Sequence, residues 1–151
     1  MQRQRKRRLK DLHALQNAGH CFEDFDSEDE PKRVLCLLTG PKDTPYFGRK
    51  WRVSIHLPSE YPFKSPSVGF VDPIFHPNID VKSGSVCLNA LNSEWTPMYK
   101  LVDVVEVLLP KLLTYPSADD PLNAYAAQLW QTNMEAFNTN VISVGGYVSE
   151  V

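Results

Sequence analysis

A cysteine and an asparagine nine residues apart are the side chains in this chain of 151 residues best suited to chemistry. Cys87 follows Asn78 across a segment that contains Gly84 and several small polar residues. Such a segment takes a tight, irregular path, because glycine and small polar residues favour turns. A thiol on a loop, with a rigid amide close by, suits the carriage of an acyl group as a thioester. It suits metal binding or disulfide formation poorly, since the chain contains no Cys-x-x-Cys pair.

The other two cysteines, Cys21 and Cys36, fall in predicted strands, where a buried thiol is a common packing residue. The cysteine count of 3 is odd, and the basic N-terminus lacks the apolar stretch of a secretory signal. These features indicate free thiols in a reducing compartment, and we expect a cytoplasmic or nuclear protein. No stretch approaches the roughly 18 apolar residues that a membrane span needs.

The charge of the chain is unevenly distributed. The first ten residues hold six basic groups and no acid, so the remainder carries 10 basic against 18 acidic residues, a net −8. Such a body should be repelled by nucleic acid, while the N-terminus attracts anions. The basic residues are interpreted as a partner-binding helix face or as a merely solvated face. A nuclear address is a further alternative.

The elements that must position Cys87 follow from hydrophobic periodicity, within a single predicted domain over residues 1–151. Four strands joined by short links predict an antiparallel meander, and a long irregular segment, 72–98, is expected to be functional. Asp120 is a favourable N-cap for a helix that begins at Pro121. Pro110 should kink the helix predicted over residues 101–113 or tighten its last turn. The predicted helices are 3–17, 101–113, 121–131 and 134–143, and the predicted strands are 20–25, 34–38, 51–57 and 68–71. The predicted fold class is therefore α/β, of the α+β kind.

Several motifs, spread over nearly the whole chain, resemble those of the ubiquitin-conjugating enzymes. They are Gly40-Pro41, Thr44-Pro45-Tyr46, Tyr61-Pro62-Phe63-Lys64-Ser65-Pro66, Phe75-His76-Pro77-Asn78-Ile79, Gly84-Ser85-Val86-Cys87-Leu88, Trp95-Thr96-Pro97 and Asp119-Asp120-Pro121-Leu122-Asn123. The spacing from Phe75 to Cys87 resembles the H-type subgroup most closely. The resemblance implies the UBC-like fold: an N-terminal helix, a four-stranded meander, a long active-site segment, and then helices.

The resemblance also implies an activity in the ATP-dependent ubiquitin cascade. The enzyme accepts ubiquitin from the activating enzyme as a Cys87 thioester and transfers it to a substrate lysine, usually with a ubiquitin ligase. No cofactor is expected, because the upstream enzyme uses the ATP. Asn78 is expected to support the tetrahedral intermediate, either as a donor or by fixing the loop, and a plain turn asparagine is the alternative. Asp120 is expected to orient or desolvate the attacking lysine unless it only caps a helix. His76 and Pro77 are expected to be structural.

Partner surfaces follow from the same resemblance. Phe63 and Pro97 correspond to contacts with a RING-type ligase, on loops that should lie side by side; packing of loop ends is the alternative. The basic helix face of Lys6, Arg7 and Arg8 corresponds to the surface that meets the activating enzyme. H-type members often carry an acidic C-terminal extension. A CTLH-type ligase is an expected partner by the same resemblance. The sequence ends at Val151 without such an extension, which argues against recruitment to that ligase through an acidic tail.

Three other functions are compatible with parts of the pattern. The chain could carry a ubiquitin-like modifier, or bind ubiquitin without catalysis, although Cys87 argues against the second. A cysteine protease or acyl hydrolase would need a base from His13, His20, His56 or His76. None of these histidines stands in a convincing base motif.

Overall fold

The computed structural model describes residues 2–21, 25–27, 30–117 and 119–148. In chain order the elements are helix α1 (Gln2–Asn17), strands β1 (Arg33–Thr39), β2 (Arg49–His56) and β3 (Ser67–Phe70), helices α2 (Leu88–Asn92) and α3 (Leu101–Asp103), a π-helical turn (Val104–Leu108), helices α4 (Leu109–Thr114), α5 (Ala124–Thr132) and α6 (Met134–Val144), and strand β4 (Tyr147–Val148). The predicted mixed fold class is confirmed.

The central sheet is an antiparallel meander of β1, β2 and β3. Alternate residues of β1 are buried, among them Cys36, which pairs with the buried Val53 of β2 across the ladder. This alternation is the period of two expected of a strand with one face on the core. The pairing of β1 with β2 runs from Arg33 opposite His56 to Thr39 opposite Lys50.

The fourth strand of the sheet differs from the one predicted. It is β4, near the C-terminus, which pairs with the beginning of β2. The strand predicted over residues 20–25 is represented by a single bridge, between Cys21 and Cys36. Residues 22–24 of that prediction lie outside the described residues.

The helix predicted over residues 101–113 forms, with a widened π-helical turn in its middle. Pro110 explains the position of that turn. Its nitrogen has no proton to donate to Glu106, and its ring would collide with that carbonyl in a regular helix. The Leu109 amide instead reaches back five residues to the Val104 carbonyl. Pro110 therefore widens the turn before it. The predicted tightening of the last turn is not seen, since α4 continues to Thr114.

The buried apolar residues form one cluster between the helices and the sheet. Leu12 and Leu15 of α1 are fully buried, as the predicted amphipathic pattern requires. Trp51, Tyr46 and Tyr61 are the largest fully buried side chains among the described residues. The helices of the described residues are all too short or too polar to cross a membrane.

Candidate active site

Asn78 and Cys87 are brought together by a short antiparallel hairpin. The Cys87 amide donates to the Asn78 carbonyl at 2.8 Å, and the Asp80 amide donates to the Ser85 carbonyl at 3.0 Å. These bonds flank a bridge between Ile79 and Val86. The nine-residue spacing therefore places the thiol and the amide opposite each other on neighbouring legs of one hairpin.

Gly84 makes the hairpin turn compatible with the sheet. Its φ is +75°, in the left-handed region, and its amide donates to the Asp80 carbonyl at 2.9 Å. A Cβ atom at this position would lie 2.0 Å from the Phe70 carbonyl oxygen. The Phe70 amide donates to the Gly84 carbonyl at 2.7 Å, so the second leg of the hairpin is attached directly to β3. The thiol is thereby fixed relative to the central sheet.

The Asn78 side chain holds the loop that follows α4. Its Nδ2 donates to the Ser117 carbonyl at 2.8 Å, and its Oδ1 accepts from the Ser117 amide at 2.9 Å. Asn78 is 1% exposed, and this two-bond ring leaves it one defined orientation. In this conformation the amide fixes a loop, and it is not a turn asparagine bonded to its own backbone.

His76 is held as a neutral ring. Its Nδ1 accepts from the Asn78 amide at 3.0 Å, and its Nε2 lies 2.8 Å from the Leu112 carbonyl, so Nε2 carries the proton. Complete burial lowers the pKa of His76 to about 4, against the opposing effect of the Leu112 carbonyl. Both ring nitrogens are therefore occupied, and the ring has no free lone pair for a proton from Cys87.

The segment that carries Asp120 is attached at both ends to residues 77 and 78. Ser117 is held by Asn78, and the amides of Leu122 and Asn123 both donate to the Pro77 carbonyl, at 2.9 and 3.0 Å. Pro77 is therefore a structural acceptor, and Asp119 and Asp120 lie between two hydrogen-bonded anchors.

The prediction that Asp120 caps the next helix is wrong. Helix α5 begins at Ala124, and its N-cap is Asn123, whose Oδ1 accepts from the Ala126 amide at 3.0 Å. Asp120 is exposed and has a φ of +51°, a left-handed conformation that aspartate tolerates better than most residues. The three intervening residues are not helical, and the carboxylate of Asp120 is not used for capping.

A cleft of about 360 Å³ lies beside Cys87. Cys87 is partly exposed and has no disulfide partner. Asn78, Asp119 and Asp120 line the same cleft, and its described lining includes no histidine. The structure therefore brings together the three predicted catalytic residues, Cys87, Asn78 and Asp120, around one accessible space. Asn89, two residues after the cysteine, also lines it.

The two predicted ligase loops lie side by side. The Trp95 indole donates to the Pro62 carbonyl at 2.9 Å, and the rings of Trp95 and Tyr61 are 5.8 Å apart. Phe63 is 70% exposed, and Pro97 is exposed on the neighbouring loop. The structure therefore does not use Phe63 for packing of loop ends.

The three basic residues predicted to meet the activating enzyme have different environments. Lys6 is exposed. Arg7 forms an ion pair with the buried Asp11 at 2.7 Å and donates to the Tyr99 carbonyl. Arg8 donates to the Pro58 carbonyl at 3.0 Å. Arg7 and Arg8 thus contribute to internal structure as well as to surface charge.

Sequence reasoning missed two features around the site. Ser117 acts through its backbone, so its side chain gives no signal in the sequence. The ion pair between Glu94 and Lys111, 3.2 Å apart at the cleft, joins positions far apart in sequence, which no local pattern reveals. The pair of Arg7 and Asp11 does carry a signal, because residues four apart on a helix are neighbours.

Among the described residues, no group of three or more histidine, cysteine or acidic side chains is placed to hold a metal ion. The lining of the cleft includes the Cys87 thiol, the carboxamides of Asn78 and Asn89, and the carboxylates of Asp119 and Asp120.

Comparison with known proteins agrees with this arrangement. The family model described as ubiquitin-conjugating enzyme matches residues 5–144. The ubiquitin-conjugating enzyme E2-24 kDa of Saccharomyces cerevisiae is 57% identical over 125 residues, which cover 82% of this chain and 56% of that protein. The ubiquitin-conjugating enzyme E2 5 of Arabidopsis thaliana is 43% identical over 136 residues, covering 90% of this chain and 72% of that protein.

A solved structure supports the fold independently. The crystal structure of a candidate ubiquitin conjugating enzyme from Plasmodium yoelii superposes with a TM-score of 0.75 at 26% identity, covering 95% of this chain and 94% of that one. The family model spans nearly all described residues, including the hairpin and the cleft. The chain therefore belongs to the ubiquitin-conjugating enzyme family, whose members act as transferases through a thioester intermediate.

Proposed function

We propose that Cys87 is the residue of this enzyme that accepts ubiquitin from the activating enzyme and delivers it to a substrate lysine. The observation that carries the proposal is the position of this partly exposed thiol on a cleft shared with Asn78 and Asp120. Of the three cysteines, Cys36 is buried and Cys21 lies against the core, away from the residues that line this cleft.

The reaction consists of two acyl transfers. In the first, the Cys87 thiolate attacks the thioester carbonyl on the activating enzyme and releases that enzyme's thiolate. In the second, the neutral amine of a lysine attacks the new thioester, and the Cys87 thiolate leaves. A thioester is already reactive toward amines, so the site needs an ordered approach more than a strong general base. This agrees with the absence of histidine from the described lining of the cleft.

We assign Asn78 the task of holding the loop over the thioester. Its two bonds to Ser117 fix the segment that carries Asp119 and Asp120. The bond to Ser117 uses one of the two Nδ2 protons, and we propose that the second proton is the donor toward an oxyanion. Both roles expected of Asn78 are therefore compatible with one conformation.

Asp120 is proposed to receive the incoming lysine. Its carboxylate is exposed at the cleft and is not used as a helix cap, so it can accept a hydrogen bond from the amine. Asp120→Ala should leave charging unchanged and slow discharge to free lysine by roughly 10- to 100-fold, the cost of a misplaced reactant. Asp119→Ala is the matched control. Equal slowing by both variants would show that charge alone, and not the position of Asp120, assists the amine.

Partner surfaces are assigned by the same reasoning. Phe63 and Pro97 form an exposed apolar pair suited to a RING-type ligase, and aromatic anchors are typical of such contacts. Lys6, with the charges of Arg7 and Arg8, suits the activating enzyme. A CTLH-type ligase remains a proposal from the resemblance to the H-type subgroup, tested by comparing discharge with and without that ligase for wild type and Phe63→Ala.

The experiment that tests the function combines activating enzyme, ATP, ubiquitin and this protein, with gels run with and without reductant. Wild type should form an adduct that thiol reductant removes. Cys87→Ser should form an adduct that resists reductant, because an oxyester replaces the thioester, and Cys87→Ala should form none. Parallel reactions with ubiquitin-like modifiers and their activating enzymes distinguish the alternative carrier function. Rapid release of free ubiquitin to water would favour a hydrolase.

We further propose a cytoplasmic or nuclear location, which suits an enzyme that depends on a free thiol. Imaging of the tagged protein in cells tests this, and a secretory location would contradict it.

A further inference from the structure

Two cysteines outside the cleft lie directly opposite each other. Cys21 and Cys36 form an isolated antiparallel bridge between the segment after α1 and strand β1. The Leu37 amide donates to the His20 carbonyl at 2.8 Å, which makes the two cysteines a non-hydrogen-bonded pair. In such pairs the Cα atoms lie about 4.5 Å apart with the side chains on the same face. Disulfides form at Cα separations of about 4.4–6.8 Å.

We infer that Cys21 and Cys36 are a modification site, at which a peroxide converts the two free thiols into a reversible intramolecular disulfide. Both are free cysteines in the structure, and each thiol shifts the pKa of the other. The inference does not rest on the proposed role of Cys87.

The two thiols are suited to different steps of the oxidation. Cys21 is partly exposed, whereas Cys36 is fully buried. The hydrogen bond from the Cys36 thiol lowers the pKa of Cys21. The same bond, together with burial, raises the pKa of Cys36. Cys21 is therefore the thiolate that meets the oxidant, and Cys36 is the resolving thiol beside it.

With hydrogen peroxide as oxidant, the atoms and electrons balance in two steps. The Cys21 thiolate attacks one peroxide oxygen, an S–O bond forms as the O–O bond breaks, and the departing hydroxide takes up a proton to become water. The Cys36 sulfur then loses its proton, attacks the sulfur of the Cys21 sulfenic acid and displaces hydroxide, which leaves as a second water. Two thiols have lost two electrons and two protons, and one peroxide has become two waters.

The disulfide would close a loop from residue 21 to residue 36. It would tie the end of the α1 segment covalently to the central sheet while leaving Cys87 free. A closed loop of about 15 residues should raise the melting temperature of this 151-residue chain by about 6–12 °C. Reductant should return it to the starting value.

The test uses the reduced full chain treated with hydrogen peroxide, then alkylated and digested with trypsin without reduction. We expect the loss of 2 mass units from the intact protein and a disulfide-linked pair of peptides, 11–32 joined to 34–42. Cys87→Ser should give the same linked pair, because the cleft thiol takes no part. Cys21→Ser should give none, and Cys36→Val, which suits a buried strand position, should instead trap a sulfenic acid on Cys21 that dimedone labels.

A thermal scan first shows that each variant is folded. If folded wild type retains alkylatable Cys21 and Cys36 after peroxide treatment that oxidises Cys87, the inference is wrong. A linkage of Cys21 or Cys36 to Cys87, or only intermolecular disulfides, would also overturn it.

Discussion

At the scale of single residues, Asn78 shows how one side chain can hold a loop in place beside the proposed nucleophile. It is buried, and its side-chain amide binds the Ser117 backbone through both Nδ2 and Oδ1. Its backbone N–H donates to the His76 ring. Its neighbour Pro77 accepts two further backbone bonds from the far end of the same loop. The dipeptide therefore organises the opposite wall of the cleft from Cys87.

Asn78→Ala should accept ubiquitin normally but transfer it to lysine poorly. Loss of the bonds to Ser117 releases the loop that carries Asp120, and loss of one oxyanion donor elsewhere costs about 10²–10³ in rate. The two lost hydrogen bonds should also reduce the free energy of unfolding by about 1–3 kcal/mol. Single-turnover discharge to free lysine and urea unfolding measure the two effects.

Ser117→Ala is the matched control, because Asn78 binds only the backbone of Ser117 in the described contacts. It should discharge and unfold like wild type. Discharge of Asn78→Ala at the wild-type rate would remove Asn78 from the chemistry, whatever its effect on stability.

At the scale of elements, the central feature is the hairpin that presents Cys87. Gly84 and Gly19 have similar positive φ values, +75° and +83°, but only Gly84 has a backbone atom in the space that a Cβ would occupy. The two glycines therefore separate the cost of backbone conformation from the cost of a steric clash.

Gly84→Ala should lower the free energy of unfolding by about 3 kcal/mol or more, and Gly19→Ala by about 1–2 kcal/mol, the cost of a left-handed alanine. Gly84→Ala should also slow charging, because its clash with the Phe70 carbonyl displaces the leg that carries Cys87. Urea unfolding and charging assays provide the comparison. Equal destabilisation by the two substitutions would contradict the tight attachment of the hairpin to β3.

The basic helix allows a second prediction at this scale. Arg7→Ala should reduce the free energy of unfolding by about 1–3 kcal/mol, since it leaves the buried carboxylate of Asp11 without its ion-pair partner. Lys6→Glu should leave stability within about 0.5 kcal/mol of wild type and slow charging more than discharge. If Lys6→Glu slows both steps equally, its role lies elsewhere than in the contact with the activating enzyme.

Helix α1 and most of the sheet could be predicted from the sequence, because periodic apolar residues such as Leu12 and Leu15 reflect burial directly. The start of α5 could not. Asp120 and Pro121 both match helix-start signals, yet Asn123 caps the helix, since the amides of Leu122 and Asn123 are bound to the Pro77 carbonyl. That competing tertiary contact leaves no trace in local sequence.

In the candidate site, too, some features could be predicted from the sequence and others could not. The nine-residue spacing predicts that the Cys87 thiol and the Asn78 amide lie close together, and the structure places both on one hairpin. The hydrogen bonds between Asn78 and Ser117 join residues that are 39 positions apart in the chain. The pairing of β4 with β2 joins residues that are about 100 positions apart. Such contacts depend on the complete fold, and no local pattern in one sequence predicts them.

At the scale of the whole molecule, the stability should depend on pH through His76. Burial lowers the pKa of its folded form to about 4, below the ordinary value of 6.5. Between pH 4 and 6.5 the histidine is protonated in the unfolded chain but stays neutral in the folded protein. The stabilising contribution of neutral His76 is therefore fully present above pH 6.5 and is lost as the pH falls toward 4. The slope is at most about 1.4 kcal/mol per pH unit for one proton.

Urea unfolding between pH 4.5 and 7.5 measures this slope. His76→Gln should lower stability at pH 7 and flatten the dependence, because no group at position 76 then titrates. His56→Gln, at an exposed position of β2, should retain the wild-type slope. An unchanged slope in His76→Gln would contradict the buried neutral histidine.

The central claim is that Cys87 carries the transferable acyl group, and peptide mapping of the charged wild-type enzyme tests it most directly. After reaction with activating enzyme, ATP and ubiquitin, mass spectrometry of tryptic peptides kept free of reductant should find the C-terminal remnant of ubiquitin on the peptide 83–100, at Cys87. Cys21 and Cys36 in the same sample should carry none. A charged, folded sample in which Cys87 is unmodified, or in which the remnant lies on another residue, would contradict the account.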